Sequence, residues 1–234
     1  NIFCTFSKSI MTNNEEIWLE KYRPQKFNEY LNYSDYKNTV EKWIKPFLDN
    51  KQTSKPFLIL YGPSAYGKTT LAHCIFNEYG YEPLECNASD TRNKNNLTKR
   101  IETGKKSFTM TEDNTFKLYG LILDELDGLT TGDNGGVDTI MKIVFLNNNK
   151  LVKNRKYKVR YPIICTTNSI KEKKLLPILK FSEIITMKRP SIQSLFILGK
   201  QIAKQEKIPI IQKLLKEYIN EQDDYRSLIT KLNT

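Results

Sequence analysis

Apolar and polar positions along the 234-residue chain follow two regimes. Up to about residue 188, short unbroken apolar runs alternate with stretches of helical spacing. Such runs cover residues 57–61, 118–124 and 162–168, and residues 83–87 and 181–187 are further strand candidates. Unbroken runs suit strands buried on both faces, as in a parallel sheet covered by helices. Between them, residues 34–50 set Val40, Trp43, Ile44 and Phe47 on one helical face, with Ser34 or Asp35 near the N-cap. Residues 70–79 recur at Leu71, Ile75 and Tyr79, and 137–146 also reads as helix. Residues 126–136 read as a mobile, glycine-rich loop. After Arg189-Pro190-Ser191 the pattern is helical throughout, over 192–204, 210–220 and 225 onward. The spacing therefore predicts an α/β body over 17–188, a small all-helical lid over 189–234, and a flexible leader over 1–16.

The run at 57–61 breaks into Gly62-Pro63-Ser64-Ala65-Tyr66-Gly67-Lys68-Thr69-Thr70. This meets the pattern G-x-x-x-x-G-K-[ST], in which glycines let successive N–H groups turn inward around a phosphate. The N-terminus of the following helix adds to the anion site. Lys68 supplies a point charge, and Thr69 a hydroxyl for the Mg²⁺ that the phosphates carry. Strand, loop and helix occur in the order the motif requires. The run at 118–124 ends in Asp124-Glu125, an acidic strand end that completes such a site. Asp124 is read as holding the metal through water and Glu125 as the base that orients and deprotonates the attacking water. Asn168, at the end of 162–168, is placed to reach the γ-phosphate or that water.

Composition changes this picture in one respect. The net charge of +11 and pI near 9.3 favour a polyanionic partner. A bias toward Lys, Asn, Ile and Tyr yields the same total, so the position of the charge matters more. Residues 92–106 carry Arg92, Lys94, Lys99, Arg100, Lys105 and Lys106 against Glu102 alone, and 142–160 carries seven Lys and Arg without an acid. The first reads as a solvated face or as a nucleic-acid contact, and the second is the most basic segment of the chain. The four cysteines are dispersed without a C-x-x-C pair, and there is one histidine. No zinc site or disulfide framework is suggested, and a reducing compartment is expected. No apolar run approaches the roughly 20 residues that span a bilayer, so no membrane partner is expected.

Near the N-terminus, Trp18, Glu20, Lys21, Tyr22, Arg23 and Pro24 form an aromatic and basic stretch. It offers a ring and a guanidinium to a base, and reads equally as a packed arm. It also resembles the W-x-E-K-Y-R-P signature of the AAA+ ATPases of sliding-clamp loaders, and within them the large subunit of replication factor C. Asn87-Ala88-Ser89-Asp90-Thr91-Arg92 resembles that family's N-A-S-D-x-R. Asn168 falls at the sensor-1 position, and Asp224-Tyr225-Arg226-Ser227 resembles the sensor-2 D-x-R-R, with Ser227 replacing its second arginine. Asp124-Glu125-Leu126-Asp127-Gly128 with Gly132 to Val137 resembles the large subunit in particular. Small subunits carry S-R-C with an arginine finger where this chain has Lys180, Phe181 and Ser182.

The resemblance covers residues 17–234. It implies a P-loop AAA+ fold and an ATP·Mg²⁺ site in which Arg226 senses the γ-phosphate and Tyr22 and Arg23 lie near the adenine. The finger would come from a neighbouring subunit. Arg92 and Lys94 would contact primer-template DNA, and Phe108 and Met110 a ring-shaped clamp. The activity implied is clamp loading with small subunits, in a nucleus or a viral replication compartment. A cohesion or checkpoint loader, or an ATP-binding subunit that does not hydrolyse, shares these features. The P-loop interior and the basic insertion at 147–160 depart from the family's pattern. The sequence ends at the lid, before the collar helices through which the family pentamerises: a fragment, a truncation or a different assembly.

Overall fold

The computed structural model describes residues 18–51, 53–87, 109–110, 116–130, 137, 140–141, 144, 161–209, 212–221 and 225–233. The leader over 1–16, Arg92, Lys94, Phe108, residues 131–136 and the insertion at 147–160 lie outside them. The chain divides into two compact units. One is Gln25–Lys188, and the other joins the segment ending at Pro24 to Arg189–Thr234. The aromatic arm, assigned from sequence to the α/β body, thus belongs with the helical unit.

In the α/β unit, strands β1 (Phe57–Tyr61), β2 (Tyr81–Asn87), β4 (Phe116–Asp124), β5 (Ile163–Thr167) and β6 (Ser182–Thr186) form a parallel sheet in the order β2-β4-β5-β1-β6. The two-residue strand β3 (Thr109–Met110) pairs antiparallel with the start of β4, Met110 lying opposite Phe116. Because β1 neighbours β5 and β6 while β2 lies two strands away, the chain reverses direction across the sheet beside β1. Ligands of open α/β sheets bind at the carboxyl ends of strands next to such a reversal.

Both sheet faces are covered, which explains the unbroken apolar runs. Leu58, Leu60, Ile122, Ile164 and Ile185 face helices α1 (Tyr33–Leu48) and α2 (Lys68–Glu78). From α1 the buried side chains are Tyr36, Val40, Trp43, Ile44 and Phe47; from α2 they include Leu71, Cys74, Ile75 and Phe76. Phe57, Ile59, Leu121, Leu123, Ile163 and Cys165 point the other way, onto Leu126, Val137, Ile140, Val144, Leu175 and, from the short helix α3 (Leu176–Leu179), Ile178. The start of α1 differs from the sequence reading. Its N-cap is Asn32, in a left-handed conformation without a side-chain cap, in place of Ser34 or Asp35. The stretch after Asp124-Glu125 also differs, since Leu126–Thr130 winds into a 3-10 turn instead of opening directly into a loop. Leu126 is fully buried and pins that turn to the core.

In the helical unit, Ser191 caps α4 (Ile192–Gln205) by accepting the Ser194 N–H at 3.0 Å. Helix α4 packs on α5 (Gln212–Glu221) and α6 (Tyr225–Asn233). Leu195, Ile202, Leu215, Ile219, Leu228 and Ile229 are buried there. Gly199 allows close approach, since a Cβ at that position would lie 3.3 Å from Leu215. The arm docks through Glu206, which accepts hydrogen bonds from Lys21 and Tyr22, and Tyr225 donates to the Tyr22 carbonyl. Trp18 meets the Tyr22 ring edge-on, with centroids 5.8 Å apart. Among the described residues, no helix is long and apolar enough to cross a membrane.

Two expectations follow. A Cβ on Gly120 of β4 would sit 2.5–2.8 Å from the buried Phe76 ring, so Gly120→Ala is expected to cost about 1–3 kcal/mol through overpacking. Chemical denaturation checks this, and adding Phe76→Leu should recover part of the loss. Donation from Lys21 and then Tyr22 holds the Glu206 carboxyl below its ordinary value. A depressed folded-state value means that the docking contribution is complete above the ordinary range, about 4.3 for Glu, and is lost as pH falls through the folded value. Trp18 fluorescence in a Trp43→Phe background should report acid release of the arm, and Glu206→Gln should remove that transition.

Candidate nucleotide site

Parallel register brings three strand ends level. Tyr61 of β1 lies beside Thr167 of β5, and Leu123 of β4 beside Cys165. The residues that follow each strand therefore share one edge: the loop from Gly62, the pair Asp124-Glu125, and Asn168.

The loop is built for close backbone approach. The Gly62 N–H donates to the Thr167 carbonyl at 3.2 Å, and a Cβ on Gly62 would lie 2.9 Å from the Met187 Cβ. Ala65 and Gly67 take positive φ values of 64° and 75°, which turns the chain over Pro63 and Ser64 into α2. Tyr30 props the loop from below, its hydroxyl donating to the Tyr66 carbonyl at 2.8 Å. Burial pushes the Tyr30 phenol well above its ordinary value, so it remains a neutral donor. It also leaves little room at Gly67, where a Cβ would meet that hydroxyl at 3.0 Å. Lys68 and Thr69 open α2, and Thr70 occupies its first turn.

Lys68 folds back over its own loop. Its ammonium donates to the carbonyls of Gly62 and Pro63, each at 2.8 Å, and to Asn168 Oδ1 at 2.7 Å. Ser64 Oγ reaches the same amide oxygen at 3.5 Å. A phosphate oxygen offers the ammonium a stronger, charge-assisted partner than any of these neutral acceptors. Thr69 Oγ1 donates to Asp124 Oδ1 at 3.0 Å. A hydroxyl and a carboxylate side by side are the hard oxygen donors that Mg²⁺ takes alongside phosphate oxygens.

Four residues make contacts in this cluster that the sequence reading gave no role. Thr166, buried at the end of β5, donates to Asp124 Oδ1 and accepts the Glu125 N–H at 3.1 Å. Glu125 has φ 54°, a left-handed conformation that costs a non-glycine residue about 1–3 kcal/mol. The Thr166 contact and the Gly128 N–H, donating to the Glu125 carbonyl at 2.8 Å, hold it there. Asn87, at the end of β2, places Nδ2 3.4 Å from Glu125 Oε2. Asp127 binds Thr167 and Asn168. Tyr30 is the fourth. The available signals were Thr166-Thr167 closing an apolar run and the carboxylate of Asp127 one turn beyond Asp124.

The remaining candidates are carried by other elements. Met110 is in β3, and Arg226 is exposed on α6. Tyr22 and Arg23 belong to the helical unit, where Arg23 Nη1 lies 3.2 Å from Glu20 Oε1.

Residues 58–189 match the ATPase family associated with various cellular activities (AAA). The chain belongs to the AAA ATPase family. The matched residues run from β1 through the end of β6 and include every member of the strand-end cluster except Tyr30. This AAA chain is also similar to proteins named replication factor C large subunit. It is 32% identical over 217 residues to that of Staphylothermus marinus, covering 92% of this chain and 47% of the relative. For Methanococcus maripaludis strain C5 the values are 33% over 221 residues, 94% and 42%. For Sulfurisphaera tokodaii they are 34% over 210 residues, 88% and 43%. The chain spans less than half the length of these relatives.

Lys68→Ala removes the ammonium from the loop. It is expected to weaken binding of a fluorescent ATP analogue by about tenfold to a hundredfold, the equivalent of ~1.5–3 kcal/mol for a hydrogen bond to a charged group. Titration by fluorescence anisotropy measures it, and an unchanged affinity would place the nucleotide elsewhere.

Proposed function

We propose that this chain is the ATPase-bearing large subunit of a clamp loader like replication factor C, which uses ATP to place a ring-shaped sliding clamp on primer-template DNA. The observation that carries the proposal is the meeting of Lys68, Thr69, Asp124, Glu125 and Asn168 at three adjacent strand ends, in a chain similar to replication factor C large subunits.

In this reading the N–H groups from Ser64 to Thr70 cradle the β- and γ-phosphates, and Lys68 exchanges its loop carbonyls for phosphate oxygens. Thr69 and Asp124 would hold Mg²⁺, whose charge offsets that developing on the transferred phosphoryl group. Glu125 takes the proton of the attacking water, a general-base contribution of about 10²–10⁴ in rate. The left-handed backbone at Glu125, together with Thr166 and Asn87, aims that carboxylate. Arg226 reports the γ-phosphate from the helical unit, and Tyr22 and Arg23 approach the adenine. A neighbouring subunit supplies the arginine finger, because Lys180, Phe181 and Ser182 offer none. Arg92 and Lys94 meet DNA phosphates, Phe108 and Met110 meet the clamp, and small subunits complete the ring. The compartment is the nucleus or a viral replication site.

The test uses the full-length chain assembled with its small subunits. Glu125→Gln is expected to lower clamp-stimulated ATP turnover while the fluorescent ATP analogue still binds. Turnover equal to wild type would instead make the chain a subunit that binds ATP without hydrolysing it. Identifying the copurifying small subunits and the ring loaded distinguishes a replication loader from a cohesion or checkpoint loader.

A further inference from the structure

We propose that Asp127 is a positioning residue that fixes the side-chain amide of Asn168, turning its oxygen toward the phosphate loop and its NH₂ away. This rests on the ATPase reading of the same site and adds a division of labour within it.

Asp127 lies in the 3-10 turn Leu126–Thr130, and buried Leu126 anchors that turn. Its Oδ2 accepts Asn168 Nδ2 at 3.2 Å, while Oδ1 accepts the Asn168 backbone N–H at 3.4 Å and the Thr167 hydroxyl at 3.3 Å. On the opposite side of the amide, Asn168 Oδ1 accepts from Lys68 at 2.7 Å. An ionised carboxylate only accepts, and an ammonium only donates. A single amide orientation therefore satisfies both neighbours. The flipped amide would set NH₂ against the Lys68 ammonium and oxygen against the Asp127 carboxylate, two repulsions in place of two charge-assisted bonds.

Without Asp127, the exposed amide of Asn168 has a broad, roughly two-fold choice of orientation. An incoming γ-phosphate, rich in acceptors, would draw the NH₂ toward itself. With Asp127 in place, Asn168 faces the loop as an acceptor. It steadies Lys68 and can accept an O–H from the attacking water, which helps to orient that water. The sequence left open whether Asn168 serves the γ-phosphate or the water, and Asp127 selects the water.

The experiment compares Asp127→Ala, Asn168→Ala and the double variant in the full-length chain within its assembled complex. ATP turnover is measured together with equilibrium affinities for ADP and for the slowly hydrolysed ATPγS. Asp127 is only partly buried, so alanine leaves no core cavity, and a wild-type ADP affinity verifies the fold. Asp127→Ala is expected to lower turnover about tenfold or more, the scale of one lost charge-assisted contact. ATPγS should bind tighter relative to ADP, as the freed amide donates to the γ-phosphate. In the Asn168→Ala background, Asp127→Ala should change neither quantity, because it acts only through that amide. Losses that multiply in the double variant would overturn the proposal. So would ADP and ATPγS affinities that fall together, the mark of a merely structural carboxylate. Glu125→Gln run in parallel isolates the ATPase reading. If its turnover matches wild type, that reading fails, while the ratio of ATPγS to ADP affinity still decides how Asp127 orients Asn168.

Discussion

Hydrogen-bonded register across β4, β5 and β1 is the constraint on which the rest depends. In a parallel sheet, adjacent strands run the same way and their carboxyl ends can finish at one level. Here Tyr61 aligns with Thr167 and Leu123 with Cys165. A slip of one residue would turn Ile59, Leu123 and Cys165 to the opposite face of the sheet. It would also carry Thr166 away from Asp124 and Asn168 away from Lys68. The packing of both apolar faces and the polar contacts at the strand ends are therefore consequences of one pairing.

Polar residues at that edge form a chain of mutual constraint. Thr166 links Asp124 to the backbone of Glu125, Asn87 meets the Glu125 carboxylate, and Asp127 holds Asn168. Glu125 stands in a strained backbone conformation at the junction of strand and 3-10 turn. Strain of this kind persists where the surroundings over-determine it. Buried Leu126 immediately after Glu125 anchors the turn in the core, so packing underwrites the placement of the acid.

Much of this was legible before any coordinates. Strands covered on both faces announce themselves as unbroken apolar runs, and the loop from Gly62 to Thr69 carries its own spacing. Edge strand β2 was less clear, because only Tyr81 and Cys86 are buried along it; it begins at Tyr81, two residues before the stretch that the sequence marks as strand. Asn32 was not readable as the cap of α1, since the left-handed backbone there replaces the expected side-chain bond. The partners of Glu125 and Asn168 depend on which strands lie side by side, and a linear sequence does not contain that adjacency. The same limit hid the docking of Lys21 and Tyr22 on Glu206, whose partners lie far apart along the chain.

The folded-back Lys68 has a consequence for which ligands gain entry. Its ammonium already rests on two carbonyls and an amide oxygen, so the loop is not a bare positive hole awaiting any anion. An entering group must offer more than these neutral acceptors collectively provide. A lone inorganic anion brings few oxygens and arrives strongly hydrated. A polyphosphate chain can engage the backbone cradle with one phosphate while another competes for the lysine. The resting loop thus behaves as a threshold that favours extended, multiply charged ligands over the simple anions dissolved around it.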